Sequence, residues 1–157
     1  MSNPSSKSGQ IRTILMAEDN PNDAELALEA LGHHNLSNQV VVVEDGVHAL
    51  DYLYRRGNYK DRPAGNPCVL LLDLKMPRID GLEVLKTMKS DPQLKTIPVV
   101  ILTSSREEQD LVKGYELGTN AYVVKPVNFA DFVEAVKTLG LFWAVFNEQP
   151  PVSAGPK

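Results

Sequence analysis

Polar residues follow four apolar, strand-like runs of this sequence, and they are the residues with the clearest potential for chemistry. They are Glu18-Asp19, Asp73, Thr103 and Lys125. In open parallel α/β sheets, ligands bind outside the carboxyl ends of the strands, so side chains at four strand ends can meet although they are distant in sequence. The pattern therefore predicts one small site that combines three carboxylates, a hydroxyl and an ammonium.

Asp73 is the candidate nucleophile of this site. It follows four apolar residues and precedes Leu74, where neither a helix cap nor a solvated helical face is expected. A carboxylate can attack a phosphoryl group and form an aspartyl phosphate, and this transfer depends mainly on positioning and charge neutralisation. Lys125 would neutralise a phosphoryl oxygen, and Thr103 would donate a hydrogen bond. Together these residues predict a phosphoryl-accepting site.

Clustered carboxylates repel one another unless a hard cation neutralises them. Mg²⁺ suits such a cluster, because it commonly binds one or two carboxylates together with phosphate oxygens. Each residue also has a simpler interpretation when taken singly. Asp19 could cap the first helix, Thr103 could cap the fourth, and Lys125 could be a solvated surface charge.

The elements that must position these residues alternate between strands and helices. The predicted strands are 14–17, 39–43, 69–72, 98–102 and 121–124. Helical patterns follow near Asn20, Gly46, Gly81 and Ser104, and a last helix begins near Asn128 and extends to Phe146. A polar stretch with several glycines and prolines, residues 55–67, is predicted to be a long surface loop. This order predicts a parallel sheet covered on both faces.

Composition indicates one globular domain over residues 11–146, with flexible tails at 1–10 and 147–157. The chain has 157 residues, 43% of them hydrophobic and 23% charged, and no apolar run approaches the roughly 20 residues of a membrane span. A net charge of −4 argues against a nucleic-acid surface, which would normally be basic. The single Cys68 cannot form an internal disulfide, and no secretory signal is visible, so a cytoplasmic location is expected.

Four ordered motifs resemble those of the receiver domain of two-component response regulators. They are Glu18-Asp19, residues 72–81 (LDLKMPRIDG), residues 102–104 (LTS) and residues 122–126 (YVVKP). The resemblance covers about residues 11–139. It implies a flavodoxin-like, doubly wound, five-stranded parallel sheet of order 2-1-3-4-5 with five flanking helices.

The resemblance also implies roles for the residues at the strand ends. Asp73 would accept a phosphoryl group from the phosphohistidine of a sensor histidine kinase. Asp19 and Asp73 would bind Mg²⁺ directly, with the backbone carbonyl of Lys75 as a third protein ligand and Glu18 acting through water. Glu18 stands where many receivers have aspartate, and Lys75 could alter the phosphoryl lifetime or be a solvated loop charge.

A switch pair follows from the same resemblance. The Thr103 hydroxyl would turn toward the phosphoryl group while the Tyr122 ring moves inward. Lys125 would pair with the phosphoryl group, and Pro126 would follow through a cis peptide bond, an isomer that only proline makes inexpensive. Tyr122 could equally be an amphipathic strand residue with its hydroxyl in solvent.

A receiver without an attached effector must signal through its own surface, and the C-terminal region offers a candidate interface. Large apolar groups lie there on more than one helical face and favour a homodimer contact, with local core packing as the alternative. The predicted interface residues are Leu141, Phe142, Trp143 and Phe146.

The long loop and residues 139–143 also resemble stand-alone receivers that are paired with phytochrome kinases. The expected function is therefore that of a single-domain response regulator without a separate metabolic activity. Another sensor kinase or a multi-step phosphorelay would leave the same core motifs. A phosphorylation-independent, dimeric interaction module on the same fold is the alternative.

Overall fold

The computed structural model describes residues 12–32, 38–76, 78–104, 107, 121–141 and 145. Within these residues, strands and helices alternate from β1 to β4, and nine main elements are described. They are β1 (Arg12–Ala17), α1 (Pro21–Gly32), β2 (Asn38–Val43), α2 (Gly46–Tyr54), β3 (Val69–Asp73), α3 (Gly81–Ser90), β4 (Val99–Thr103), β5 (Ala121–Val124) and α4 (Phe129–Thr138). A short 3₁₀ helix, Gly57–Tyr59, lies between α2 and β3.

The five strands form one parallel sheet in the order β2-β1-β3-β4-β5, which confirms the predicted topology. Its register places the site residues at one edge. Ala17 pairs with Leu72, so Glu18 and Asp73, the next residues, leave the sheet side by side. Asp73 pairs with Leu102, which puts Thr103 one residue beyond it on the neighbouring strand.

Two apolar layers cover the sheet, as the near-continuous apolar strands predict. Successive strand residues point to opposite faces. Leu15, Leu70 and Leu72 therefore join the layer beneath α2 and α3, whereas Ile14 and Met16 join the layer beneath α1 and α4. Because β3 and β4 are buried along their whole length, the carboxyl ends of these central strands are firmly held.

Polar side chains cap the helices that begin beside the site edge. The Asp45 carboxylate accepts a hydrogen bond from the His48 backbone N–H at the start of α2, at 2.8 Å. Asp80 accepts one from Glu83 at the start of α3, at 2.9 Å. Asn128 caps α4 in the same way, at the position near which the last helix was predicted to begin. These bonds satisfy backbone donors that a helix start leaves unpaired.

Residues 55–67 form a loop, as predicted, but one with internal order. The Arg62 guanidinium lies 4.2 Å from the centroid of the Tyr52 ring, and its Nε donates to the Tyr52 carbonyl at 2.7 Å. The Tyr59 ring contacts Tyr52 edge-on, with centroids 5.2 Å apart. Aromatic and cationic stacking therefore holds part of this loop against α2.

The last helix differs from its prediction. It ends at Thr138 and is followed by Gly140, whose φ of 72° lies in the left-handed region that glycine adopts without strain. The predicted uninterrupted continuation to Phe146 is therefore wrong at Gly140. Beyond it, Leu141 is partly buried and Val145 fully buried against the layer beneath α1 and α4.

Several predictions lie outside the described residues. They concern the two tails and the interface residues Phe142, Trp143 and Phe146. The helix expected after Ser104 also lies outside the described residues, except for Glu107, which is helical. In the described part of the chain, none of the helices combines the length and the apolar character that crossing a bilayer requires.

Candidate functional site

Asp73 ends β3 and is only 3% exposed. Its Oδ1 accepts a hydrogen bond from the Lys75 backbone N–H at 3.1 Å. The chain then folds back closely, because the Gly81 N–H donates to the Leu74 carbonyl at 2.9 Å. A Cβ on Gly81 would lie 2.2 Å from the Asp73 carbonyl oxygen. Glycine at position 81 therefore allows the loop to return against the strand end and fix the Asp73 carboxylate.

Lys125 lies at the centre of the acidic edge. Its Nζ is 3.2 Å from Glu18 Oε1, from Asp23 Oδ2 and from Asp73 Oδ2. The Lys125 side chain is 16% exposed, so the solvated-charge interpretation is wrong. Its backbone N–H donates to the Thr103 carbonyl at 2.7 Å, which ties the ends of β4 and β5 together. The peptide bond from Lys125 to Pro126 is cis, as the resemblance implies.

The contact of Asp23 with Lys125 was not predicted from the sequence. The local sequence places Asp23 only in the polar start of the first helix, near Asn20. The available signal was its position in the first turn of α1, a few residues after Glu18-Asp19. A side chain there projects toward the same edge as the strand-end acids, so an acidic residue at this position can reach Lys125.

Glu18 is almost completely buried, and its Oε2 accepts a hydrogen bond from the Asn20 backbone N–H at 3.2 Å. Burial, together with the neighbouring Asp73 carboxyl, raises the pKa of Glu18 from 4.5 to about 7. Burial alone would lower the pKa of Lys125, but the Asp73 and Glu18 carboxylates outweigh it and raise that pKa. Lys125 therefore keeps its positive charge, whereas Glu18 keeps its proton to a higher pH than a free glutamate does.

The carboxyl groups of Glu18, Asp19 and Asp73 could hold a metal ion, since one oxygen from each lies within 4.8 Å of the others. Opposite ligands of an octahedral Mg²⁺ are about 4.2 Å apart, so small side-chain rotations would close the cluster on one hard cation. Asp19 is exposed. The helix cap is made by Asn20, whose Oδ1 accepts from the Asn22 and Asp23 backbone N–H groups. Asp19 is therefore not needed as the cap.

The Thr103 hydroxyl is fully buried, and its Oγ1 has no hydrogen-bond partner within the described part of the chain. An unsatisfied buried hydroxyl costs about 1 to 3 kcal/mol. Such a group is suited to donate to an anion that arrives beside it. Its interpretation as a helix cap has no support in the described residues.

The structure places the remaining predicted residues nearby. The Tyr122 ring is partly buried and packs against the apolar layer beneath α2 and α3. The Lys75 side chain is exposed, while its backbone N–H is committed to Asp73. Leu141 is partly buried and packs against the opposite layer.

A clamp between Arg78, in the loop after β3, and the start of α2 was also not predicted. The Arg78 guanidinium forms an ion pair with the Asp45 carboxylate. Although burial opposes it, the His48 backbone N–H and Arg78 together lower the pKa of Asp45. A Cβ on Gly46 would lie 1.9 Å from the Ile79 carbonyl oxygen, so glycine is needed for this close approach. The clamp holds the loop that follows Asp73.

Comparisons with known proteins agree with this geometry. The family profile described as "Response regulator receiver domain" matches residues 14–137. Response regulator Rcp1 of Synechocystis sp. is 37% identical over 139 residues, which cover 88% of this chain and 93% of Rcp1.

Solved structures extend the similarity to three dimensions. The bacteriophytochrome response regulator AtBRR has a TM-score of 0.84 and 60% identity, and the match covers 88% of this chain and 99% of AtBRR. The Mn²⁺-bound form of Rcp1 has a TM-score of 0.69 and 36% identity, with 90% of this chain and 99% of Rcp1 covered.

Proposed function

This chain belongs to the response regulator receiver family, and from that premise we propose that Asp73 accepts a phosphoryl group from the phosphohistidine of a histidine kinase. An Asp73 carboxylate oxygen forms the new bond to phosphorus, while the bond from phosphorus to the histidine nitrogen breaks and its electron pair returns to the imidazole. The observation that carries the proposal is the approach of Lys125 Nζ to Asp73 Oδ2, at 3.2 Å, beside two further carboxyl groups.

The roles of the surrounding residues follow from their contacts. The Lys125 ammonium holds the Asp73 carboxylate in place and then pairs with the added phosphoryl oxygens. The Thr103 hydroxyl, which has no hydrogen-bond partner among the described residues, donates to the phosphoryl group, and this removes the cost of its burial. Its rotation leaves space for the Tyr122 ring to move inward, and this change on the surface is the signal.

The acidic edge would hold a divalent cation, and we propose Mg²⁺ as the physiological one. The chemistry that it supplies is neutralisation of charge on the carboxylates and phosphoryl oxygens. Asp19, Asp73 and the backbone carbonyl of Lys75 would be its protein ligands, and Glu18 would act through water. The Mn²⁺-bound structure of Rcp1 supports a divalent cation in the family.

The proposed kinase partner is a phytochrome. The support is similarity to AtBRR, which is described as a bacteriophytochrome response regulator, and to Rcp1. Radiolabelled phosphoryl transfer from a purified phytochrome kinase should be faster than transfer from an unrelated histidine kinase. Equal rates with both kinases would remove the phytochrome from the proposal and leave the receiver function intact.

The proposed output is a homodimer that contacts a downstream protein in the cytoplasm, without a separate metabolic activity. The predicted interface comprises Leu141, Phe142, Trp143 and Phe146. Sedimentation velocity of the wild type and of Trp143→Ala, each before and after phosphorylation, tests this part. A wild-type monomer under both conditions would contradict it.

Intact-mass measurement tests the central function. The wild type is incubated with Mg²⁺ and a small phosphoryl donor, alongside Asp73→Asn and the control Asp61→Asn, which changes an exposed aspartate of the loop after α2. We expect one phosphoryl adduct on the wild type and on the control, and none on Asp73→Asn. If no adduct forms with small donors or with candidate kinases, the phosphorylation-independent interaction module becomes the better account.

A further inference from the structure

A cavity of about 430 Å³ lies between the end of α2 and the loop that follows it. Three basic residues line it, namely Arg55, Lys60 and Arg62, and together they define what is here called the cationic cavity. No acidic residue is among those that line it. This concentration of positive charge stands out in a chain whose net charge is −4.

The cationic cavity lies at the opposite end of the sheet from the phosphoryl site. Asn66 and Gln93 complete its polar wall, and they precede β3 and β4 respectively. Asp73 and Thr103 end those same two strands. A five-residue strand such as β3 spans about 13 Å, so one ligand of ordinary size cannot occupy both places.

The two guanidinium groups are held by carbonyl oxygens rather than by carboxylates. Arg62 donates from Nε to the Tyr52 carbonyl, and from Nη1 to the carbonyls of Pro63 and Gly65, at 2.7, 2.8 and 2.9 Å. Arg55 donates from Nε to the Arg62 carbonyl at 3.2 Å. Burial and the charge of Arg55 lower the pKa of Arg62, as expected for cations that repel each other.

Their positive charge is not neutralised within the described residues, where no carboxylate forms an ion pair with Arg55, Lys60 or Arg62. The neighbouring Arg56 shows the contrast, since its Nε lies 2.8 Å from Asp51 Oδ1. Hydrogen bonds to carbonyl oxygens and stacking on the Tyr52 ring fix the Arg62 side chain before any ligand arrives. Binding therefore costs less conformational entropy.

We propose that the cationic cavity binds a compact polyanion through phosphate or carboxylate oxygens. Both Nη nitrogens of Arg55 and the Nη2 nitrogen of Arg62 take no part in these carbonyl hydrogen bonds and can donate to such oxygens, and Lys60 adds a third charge. Asn66 and Gln93 also line the cavity and offer further polar contacts there. The volume lies within the range of about 300 to 1,000 Å³ that is usual for small-molecule sites.

Calorimetric titration in metal-free buffer tests this proposal, with inorganic pyrophosphate and citrate as probes. The variants are Lys60→Gln and Arg55→Gln, because Arg62 also holds the loop and its removal could unfold it. Lys137→Gln, an exposed cation on α4, is the control. Circular dichroism of each variant checks that it is folded.

Each single variant should weaken binding about fivefold, the effect of one partly exposed charge, while the control leaves it unchanged. Binding of pyrophosphate alone assigns the site to phosphates, binding of citrate alone to carboxylates, and binding of both to compact polyanions in general. If neither probe binds, or if both variants bind as well as the wild type, the proposal is wrong. The titration is independent of phosphorylation, so its failure would leave the function of Asp73 untouched.

Discussion

The Nζ atom of Lys125 lies 3.2 Å from Oδ2 of Asp73, a residue 52 positions earlier in the chain. Because Lys125 contacts Glu18 and Asp23 at the same distance, one ammonium is shared by three carboxyl groups. The two residues are adjacent because the register of β3, β4 and β5 aligns their carboxyl ends. The fold therefore sets the contacts between the ammonium and the carboxyl groups at this edge, and these contacts affect both stability and chemistry.

Replacing Lys125 with methionine should destabilise the metal-free protein, since it leaves three buried or half-buried carboxyl groups without their cation. We expect a loss of about 2 kcal/mol in the free energy of unfolding. Added Mg²⁺ should restore part of this loss, because it neutralises the same groups. Urea unfolding with and without Mg²⁺ measures both effects.

The control for this experiment is Lys137→Met. Lys137 forms an exposed ion pair with Glu134 at 3.7 Å on α4, and such pairs contribute about 0 to 1 kcal/mol. Equal losses in the two variants, or no rescue of Lys125→Met by Mg²⁺, would contradict the described role of Lys125.

Replacing Thr103 with valine removes a buried hydroxyl that has no partner in the described part of the chain, while its shape is nearly preserved. We expect the unphosphorylated protein to be unchanged or more stable, by about 1 kcal/mol. The phosphorylated variant should lose the accompanying conformational change, which ¹H–¹⁵N spectra of Tyr122 and its neighbours can follow. A clear destabilisation before phosphorylation would mean that the hydroxyl already has an essential partner.

The stability of the metal-free protein should depend on pH through Glu18. The pKa of this group is about 7 in the folded protein, against 4.5 for the free side chain. The folded state binds the Glu18 proton more tightly than the unfolded chain does. The resulting stabilisation of the folded state is complete below about pH 4.5 and is lost as the pH rises through 7. We expect a loss of about 2 kcal/mol relative to Glu18→Gln, which has no such proton.

Urea unfolding of both proteins between pH 4.5 and 8 checks this dependence. The free energy of unfolding of the wild type should fall relative to that of Glu18→Gln as the pH rises across that range. The difference between the two proteins should level off near the upper end. A constant difference would show that Glu18 titrates in the folded protein as it does in the unfolded chain.

Alanine at position 46 or 81 should disrupt the loop that carries the site. A new Cβ would lie 1.9 Å from the Ile79 carbonyl oxygen at Gly46, and 2.2 Å from the Asp73 carbonyl oxygen at Gly81. Each clash involves backbone and should cost about 1 to 3 kcal/mol or more. Gly81→Ala should also slow phosphorylation, because Asp73 itself must move.

Gly32→Ala is the control for these two substitutions. It adds a Cβ with nothing within 4 Å, in a helical residue, and should be neutral or slightly stabilising. Thermal unfolding of the three variants ranks them. If Gly81→Ala were as stable and as readily phosphorylated as Gly32→Ala, the described loop packing would be wrong.

The strand ends could be predicted from the sequence because two local signals coincide there. Each run of apolar residues that a buried parallel strand requires stops at a charged or hydroxylated residue, as at Leu72-Asp73 and Leu102-Thr103. Strand bounds accordingly agree with the structure to within two residues. The sheet order, by contrast, came from family resemblance, since strand periodicity carries no information on which strands are neighbours.

Contacts between distant side chains were harder to predict. The Arg78–Asp45 ion pair joins loops 33 residues apart, and nothing in the local pattern of either segment indicates the other. Asp23 had an adequate local explanation at a helix start, which concealed its contact with Lys125. The break at Gly140 was missed because the apolar pattern on both sides suggested a continuous helix, although a single glycine was enough to end it.

The most direct test of the central claim is to map the phosphorylated residue. The phosphorylated wild type is reduced with borohydride, which converts an aspartyl phosphate to homoserine, and its peptides are sequenced by tandem mass spectrometry. We expect homoserine at position 73, dependent on Mg²⁺ during phosphorylation, with Glu18 and Asp19 unmodified. Modification at Asp19 or Glu18 instead, with Asp73 intact, would contradict it.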